Sequence, residues 1–347
     1  MDIKSRSPGS GLTVMVPAYN EAASIVDTIR SIQAQTLPPE EIIVIDDHSS
    51  DNTGDLARSC GVTVLRPPAN TGSKAGAQNF ALGQVHTPYV MAIDGDTTLA
   101  PNAIELLMPA VKEPGVAAAC GFVLPRHVRS IWERGRYVEY LFAFTFYKPI
   151  QDYYGKPMIS SGCFSVYRTD LLKANGAWST RTMAEDMDLT WTYYEAGHGV
   201  RFVPEAVCYP IEPHNYHFMS KQLKRWSHGF VQNVRCHWSG LLQIPFLRTM
   251  VVVALWDATT AAIAYFLILP LLAIFVNPLF LLGYLIDIPC VAVPVLYKAV
   301  GRKEVVKSLA SLPSFFLLRF VNSLFVLEAV WSEIVMRRTL KVYEKGH

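Results

Sequence analysis

Apolar residues are grouped in two ways along this chain: in short runs up to about position 240, and in long ones from about 245 onward. The first three short runs are Leu12–Val16, Glu41–Ile45 and Tyr89–Ile93. Each has strand length and β-branched content, and stretches of helical periodicity separate them. A helix is predicted from about Glu21 to Gln35, with Asn20 as its N-cap and Leu37-Pro38-Pro39 as its stop. A short helix ending at Ser59 and a strand at Val62–Leu65 come after the second run. The loop Asn70–Lys74 then opens a helix that extends to about Gln84. Strands alternating with helices predict a parallel sheet with crossover helices.

A polar or acidic cluster ends each of the three runs. Leu12–Val16 leads into Pro17-Ala18-Tyr19-Asn20-Glu21, Glu41–Ile45 into Asp46-Asp47, and Tyr89–Ile93 into Asp94-Gly95-Asp96. Ligands of open parallel sheets bind beyond the carboxyl ends of the strands, so these clusters are expected to converge on one crevice. Carboxylates gathered there suit a divalent cation and, through it, a phosphate. Lys74 and the free N–H groups at the start of its helix could face an anion. Alternatively, they are a plain helix start with a solvated lysine.

The pattern continues towards position 240. Val116–Val123 reads as a strand, and so does Ile159–Val166, with Gly162 where something approaches closely. Between them, Ile131–Ile150 crowds Trp132, Tyr137, Tyr140, Phe142, Phe144, Phe146 and Tyr147 behind Arg126, Arg129, Arg134 and Arg136. That pattern fits an interfacial helix with arginines facing anionic lipid, or a buried aromatic core helix. Met183–Trp191 opens a helix that ends at Ala196-Gly197. Its acids Glu185, Asp186 and Asp188 suit a helix N-terminus on structural grounds alone. On the predicted helix from Phe218 to Cys236, Gln222, Arg225 and Trp226 share one face.

The long runs, Met250–Phe275 and Pro278–Leu296, can each cross a hydrocarbon core of ~30 Å with ~20 helical residues. A third, Ser308–Val335, contains Arg319, Asn322 and Glu328, and Asp257 also lies in an apolar stretch, as does Asp287. Ionisable groups at such depth face protein or a polar cavity. The basic loop Lys298–Lys307 and the basic tail at 336–347 both favour the cytoplasmic side. The third segment therefore either crosses, with the tail breaking that rule, or is re-entrant or interfacial. The organisation expected is a cytoplasmic domain at 1–240, with interfacial helices near 131–150 and 217–238, and a membrane region of two to three spans at 245–335.

Composition sharpens this. Half the residues are apolar and mean hydropathy is positive, a surplus carried by the C-terminal third. The net charge of +2 says nothing about nucleic acid, but the basic residues form no long run and no nucleic-acid motif occurs, so no nucleic-acid partner is expected. The six cysteines are scattered with no C-x-x-C pair, which suits buried free thiols in a reducing compartment. Met1–Arg6 has no apolar stretch behind it, so no signal peptide is expected.

The chemistry these pieces support is transfer from an activated phosphate ester. A metal bound by Asp96, alone or with Asp94, would neutralise a departing diphosphate. Asp47 and Tyr19–Glu21 are free for a base and ribose. Asp186 is placed to take a proton from an attacking hydroxyl. Arg225 could balance diphosphate charge, and Trp226 offers a flat face to a sugar ring.

In this order, Pro17–Glu21, Asp46-Asp47, Asp94-Gly95-Asp96, Glu185-Asp186 and Gln222-Leu223-Lys224-Arg225-Trp226 resemble the inverting family-2 glycosyltransferases. The Gln-x-x-Arg-Trp element is similar to that of the membrane-embedded branch, the hyaluronan, chitin, cellulose and poly-N-acetylglucosamine synthases. The resemblance spans Leu12 to Trp238. It implies an α/β nucleotide-sugar-binding domain with a mostly parallel central sheet, followed by interfacial helices and C-terminal transmembrane helices. It also implies a UDP-sugar donor, Mn²⁺ or Mg²⁺ as cofactor, and a β-linkage made by single displacement.

By the same resemblance Asp47 and Lys74 hold the uridine end, and Pro17, Tyr19 and Glu21 also bind substrate. Asp94 and Asp96 take diphosphate and metal, Asp186 is the base, and Glu185 is beside it. Ser161-Gly162-Cys163 lies near the acceptor, and Gln222, Arg225 and Trp226 close the site. N-acetylglucosamine and glucose both suit as the sugar. The acceptor is either a growing glycan or a lipid that receives a single sugar. Export of a polymer through so few spans would call for self-association or an export partner. A nucleotide-sugar sensor without catalysis is the alternative from another class.

Overall fold

A computed structural model describes residues 10–261 and 263–340. Expectations placed on Met1–Arg6, on the Asp287 side chain and on the tail beyond Leu340 lie outside the described residues. In chain order the elements begin with β1 (Leu12–Ala18), α1 (Ile25–Gln33), β2 (Glu41–Asp46), α2 (Thr53–Ser59), β3 (Thr63–Leu65), α3 (Lys74–Leu82), β4 (Tyr89–Ile93), β5 (Thr98–Leu99), α4 (Ala103–Val111) and β6 (Val116–Val123). Then come α5 (Ile131–Phe142), α6 (Lys148–Tyr153), β7 (Phe164–Arg168), α7 (Thr169–Ala174), α8 (Glu185–Glu195), β8 (Gly199–Tyr209) and α9 (Tyr216–Cys236). The C-terminal part holds α10 (Trp238–Gln243), α11 (Pro245–Leu255), α12 (Leu269–Phe275), α13 (Asp287–Arg302) and α14 (Val305–Val330), joined in places by π and 3₁₀ turns.

The chain forms two compact units. The first comprises Met1–Arg126, Gly155–Arg181 and Glu185–Ile211; the second comprises His127–Tyr154, Thr182–Ala184 and Glu212–His347.

The first unit is built on one eight-stranded sheet in the order β3-β2-β1-β4-β7-β6-β8-β5. The pairs β1–β2, β2–β3, β1–β4 and β6–β8 are parallel. The short apolar runs are continuous rather than alternating because both faces of these strands are covered. Leu12, Val14, Met15 and Val16 of β1 and Val90–Ile93 of β4 have no exposed surface. The chain first builds outward from β1 through β2 to β3 and then returns to place β4 on the other side of β1. That reversal makes the carboxyl ends of β1 and β4 the crevice of the sheet.

Two local expectations change. The helix predicted from Glu21 starts at Ile25, because Asn20 takes a left-handed φ of 55° and does not cap it. Instead, Ser50 N–H donates to Asn20 Oδ1 at 2.8 Å and Asn20 N–H donates to Ser49 Oγ at 3.0 Å. Asn20 thus ties the end of β1 to the loop after β2. The strand predicted at Ile159–Val166 begins only at Phe164, and it runs antiparallel to both β4 and β6. The N–H groups of Ser160 and Gly162 donate to the side chains of Thr190 and Asp186, so this stretch is a turn and not a ladder.

The second unit is helical. Ser130 starts α5 with a capping box, its Oγ accepting from Glu133 N–H while the Glu133 carboxylate accepts from Ser130 N–H. Gly135 lets α5 approach α14 closely: a Cβ there would lie 2.8 Å from the Ser314 carbonyl oxygen. The aromatic stretch matches neither expectation alone. Arg136, Tyr137, Val138 and Leu141 are buried, whereas Ile131, Phe146 and Ile150 are exposed. Met219 and Leu223 of α9 form a core with Leu318 and Val321 of α14.

Among the described residues, three helical segments are long and apolar enough to cross a membrane: Pro245–Phe275, Pro278–Arg302 and Val305–Val335. Arg319, flagged in the sequence as a charge in an apolar run, pairs with Asp257. The predicted basic loop Lys298–Lys307 contracts to Lys303-Glu304, where Lys303 takes a left-handed φ of 59° between α13 and α14. Arg302 and Lys307 both bond the Glu304 carboxylate. All six cysteines are free, but Cys236 and Cys290 are exposed, so burial does not describe the set.

Candidate active site

The crevice at the ends of β1 and β4 is floored by the Asp94-Gly95-Asp96 turn. Glycine is required between the two acids because a Cβ at Gly95 would lie 2.9 Å from Glu21 Cγ. Thr28 Oγ1 of α1 donates to the Gly95 carbonyl at 2.9 Å and fixes the turn. Asp96 is buried and accepts from Thr97 Oγ1, whereas the Asp94 side chain is about one-third exposed, at 35%. Glu21 is buried; its carboxylate accepts from Ser24 Oγ at 2.9 Å, and its N–H donates to Thr53 Oγ1 at 2.8 Å. Pro17 is the penultimate residue of β1, and Tyr19 stands half-open just beyond its end.

Lys74, at the first position of α3, reaches into this crevice. Its ammonium pairs with Asp94 and donates to the Gly162 carbonyl at 2.9 Å. On its other side, Gly162 N–H donates to Asp186 Oδ2 at 2.8 Å. A side chain at Gly162 would collide with that carboxylate, since a Cβ would lie 2.8 Å from Oδ2. Asp94, Lys74, Gly162 and Asp186 therefore form one connected string, drawn from four separate sequence regions. Ser161 lies buried in the same turn, and its carbonyl accepts from Ser165 Oγ at 2.7 Å.

The three acids at the start of α8 are not equivalent. Asp188 is buried and held by Arg181 through contacts of 2.7–3.1 Å. Asp186 is half-buried, and its second oxygen accepts from Met187 N–H at 2.8 Å. Two backbone donors thus fix the orientation of the Asp186 carboxylate. Glu185 is half-buried at the head of the helix.

Asp46 and Asp47 have local partners. Asp46 accepts from Ser49 N–H and from Arg66 at 3.0 Å. Asp47 accepts from Thr71 N–H at 2.8 Å and Thr71 Oγ1 at 2.9 Å, so it staples the loop ahead of α3. Among the described residues no three His, Cys, Asp or Glu side chains gather as a metal cage. Asp46 and Asp47 are thus engaged by their own loops, while Asp94 and Asp96 stand with Glu21 at the crevice floor. Arg66 carried no motif, and Thr71 stood within the loop Asn70–Lys74 with no role of its own.

In the second unit, α9 sets Gln222 and Trp226 one turn apart on the face that meets α5. Arg136 donates from Nη2 to Gln222 Oε1 at 2.6 Å, and its guanidinium carbon lies 4.4 Å from the Trp226 ring centroid. Arg136 therefore does not face lipid; it is fully buried beneath the two motif side chains. Arg225, between them in sequence, has a buried Nε atom.

Residues 13–176 match the family described as Glycosyl transferase family 2. A poly-β-1,6-N-acetyl-D-glucosamine synthase of Staphylococcus epidermidis is 29% identical over 224 residues, covering 63% of this chain and 54% of its own length. The synthase of the same name from Staphylococcus aureus strain COL is 28% identical over 223 residues, with the same shares covered. The chain spans about half the length of the curated relatives it matches. Among solved structures, the mannosyltransferase PcManGT from Pyrobaculum calidifontis, in complex with GDP-Man and Mn²⁺, superposes with a TM-score of 0.60. That superposition covers 96% of this chain and 90% of the other at 18% identity, a likeness of fold.

Proposed function

We propose that this chain, whose residues 13–176 match the family-2 glycosyltransferases, elongates a β-linked glycan at a membrane from UDP-N-acetylglucosamine. The observation that carries the reading is the string Asp94–Lys74–Gly162–Asp186 at the carboxyl ends of the sheet. It joins an acid suited to a diphosphate with an acid suited to a proton. Likeness to the staphylococcal poly-N-acetylglucosamine synthases supports N-acetylglucosamine over glucose.

Asp186 takes the proton of the acceptor hydroxyl as that oxygen attacks the anomeric carbon. Attack from the face opposite the leaving UDP inverts an α-linked donor to a β-linkage. Gly162 leaves room for the carboxylate and aims it through its N–H. Tyr19 and the Asp47-stapled loop receive the nucleoside, and Lys74 stands beside the departing phosphate. Asp94 and Asp96 would hold Mn²⁺ or Mg²⁺: both offer hard carboxylate oxygens, one buried and one open. When bound, the ion neutralises charge on the leaving diphosphate. The domain faces the cytoplasm, where nucleotide-sugars are made, and the basic residues around Lys303 lie on the same side.

The test is UDP release and product length in membranes given single UDP-sugars with Mn²⁺ or Mg²⁺. Asp186→Asn should lower transfer by ~10²–10⁴-fold with UDP affinity unchanged. Glu185→Gln is the control for neighbouring charge. Transfer by Asp186→Asn near the unmodified rate would remove Asp186 as the base.

A further inference from the structure

Arg136 is a fully buried cation that no step of the proposed transfer uses. Its guanidinium is gripped on every side within the helical unit. Nη1 donates to Glu139 Oε2 at 2.5 Å, Nη2 to Gln222 Oε1 at 2.6 Å and to Met219 Sδ at 3.2 Å, and Nε lies 3.4 Å from Glu212 Oε2. Tyr140 Oη donates to the other Glu212 oxygen at 2.7 Å, which anchors that carboxylate in turn. Burial pulls the Arg136 pKa down, but Glu139, Tyr140 and Glu212 together outweigh it and hold the value above the usual arginine range. Burial raises the Glu212 pKa, with Arg136 opposing.

Two carboxylates already neutralise this cation, yet its guanidinium carbon also lies over the Trp226 ring, 4.4 Å from the centroid. A cation over an indole is attracted by the ring quadrupole, more strongly when desolvated, and the guanidinium fork keeps its other partners at the same time. Gln222 and Trp226 lie four residues apart on α9, so a single guanidinium reaches both. Trp226 remains 37% exposed. One indole face is thus covered and fixed while other surface of the ring stays open. We infer that Arg136 is a positioning residue that holds Trp226 as a one-sided platform for a pyranose ring of the acceptor. This rests on the proposed glycan-elongating activity. No local signal marks Arg136 as a partner of Gln222, which lies 86 residues away.

The experiment uses the full chain in detergent, UDP-N-acetylglucosamine as donor and short N-acetylglucosamine oligosaccharides as acceptor probe. Trp226→Ala and Arg136→Lys should each raise the acceptor KM about tenfold, with donor KM and kcat within about twofold. The double variant should be no worse than either single one, because the two residues act as one unit. Absence of transfer to the probe by the unmodified chain would sink the proposed function itself. An unchanged acceptor KM in Trp226→Ala would overturn the platform and this inference together. A raised KM in Trp226→Ala with an unchanged one in Arg136→Lys would overturn the inference alone. Where Arg136→Lys fails to fold, Glu139→Gln decides. It loosens the guanidinium without removing it and should raise the acceptor KM about threefold; no change overturns the inference.

Discussion

Asp47 in the α/β unit and Glu333 in the helical unit are both buried carboxylates, and they are satisfied in opposite ways. Asp47 is met by one nearby loop, through the N–H and hydroxyl of Thr71. Glu333 is met by side chains about a hundred residues away: His228 at 2.9 Å, Gln232 at 2.7 Å and Arg235 at 3.3 Å, with Leu340 N–H adding a fourth bond. Strand ends open towards solvent, so loops with free backbone donors can serve acids there. Helices in the second unit spend their own N–H groups internally. An acid buried among them must find other side chains, and the result is a cluster whose members depend on one another.

The sharpest way to break this comparison is to remove Glu333. Glu333→Ala leaves His228 and Gln232 buried without their shared acceptor and should cost roughly 3–5 kcal/mol, read as a large fall in detergent melting temperature. Asp47→Ala should cost less, roughly 1–3 kcal/mol, since Thr71 lies close enough to solvent for water to replace the carboxylate. Equal losses in the two variants would show that loop and cluster are energetically alike. A fall in UDP affinity for Asp47→Ala beyond its stability loss would mark direct contact with the nucleoside.

The same contrast separates the legible parts of the sequence from the hidden ones. Strand runs, the acids at their ends and the Gln222–Trp226 face are local patterns, and a period of two or 3.6 residues exposes them. Gly162 was legible as a close approach, though the group approaching it, the Asp186 carboxylate, was not. The reversed direction of β7 was hidden because its register is set by β4 and β6, not by its own residues. Asn20 reads as a helix cap and instead bonds the loop after β2, a choice made by a neighbour 30 residues away. The stretch holding Arg136 reads equally as an interfacial or a buried helix, because the partners Glu212 and Gln222 become visible only when α5 meets α9.

The smallest expected effect concerns Tyr137 of α5. It is buried, its Oη donates to Glu304 Oε2 at 3.0 Å, and Ser308 Oγ lies 3.2 Å away. Burial first, and the Glu304 charge with it, push its pKa from 10.0 up to about 12. The direction of the pH effect depends on which state holds the proton. Below pH 10.0 both folded and unfolded chains keep it, and the contribution of Tyr137 is fully present. As pH rises from there towards about 12, the unfolded phenol ionises first, so stability falls across that window and levels off above it. Tyr137→Phe removes the slope. At neutral pH it should cost only about 1 kcal/mol, because Glu304 keeps Arg302 and Lys307 and no acceptor is stranded. Melting in detergent at about pH 8 and about pH 11 should therefore show the gap between the unmodified chain and Tyr137→Phe closing as pH rises. A gap that stays constant would mean that the Tyr137 hydroxyl ionises alike in both states, and that even this buried phenol behaves as a surface group.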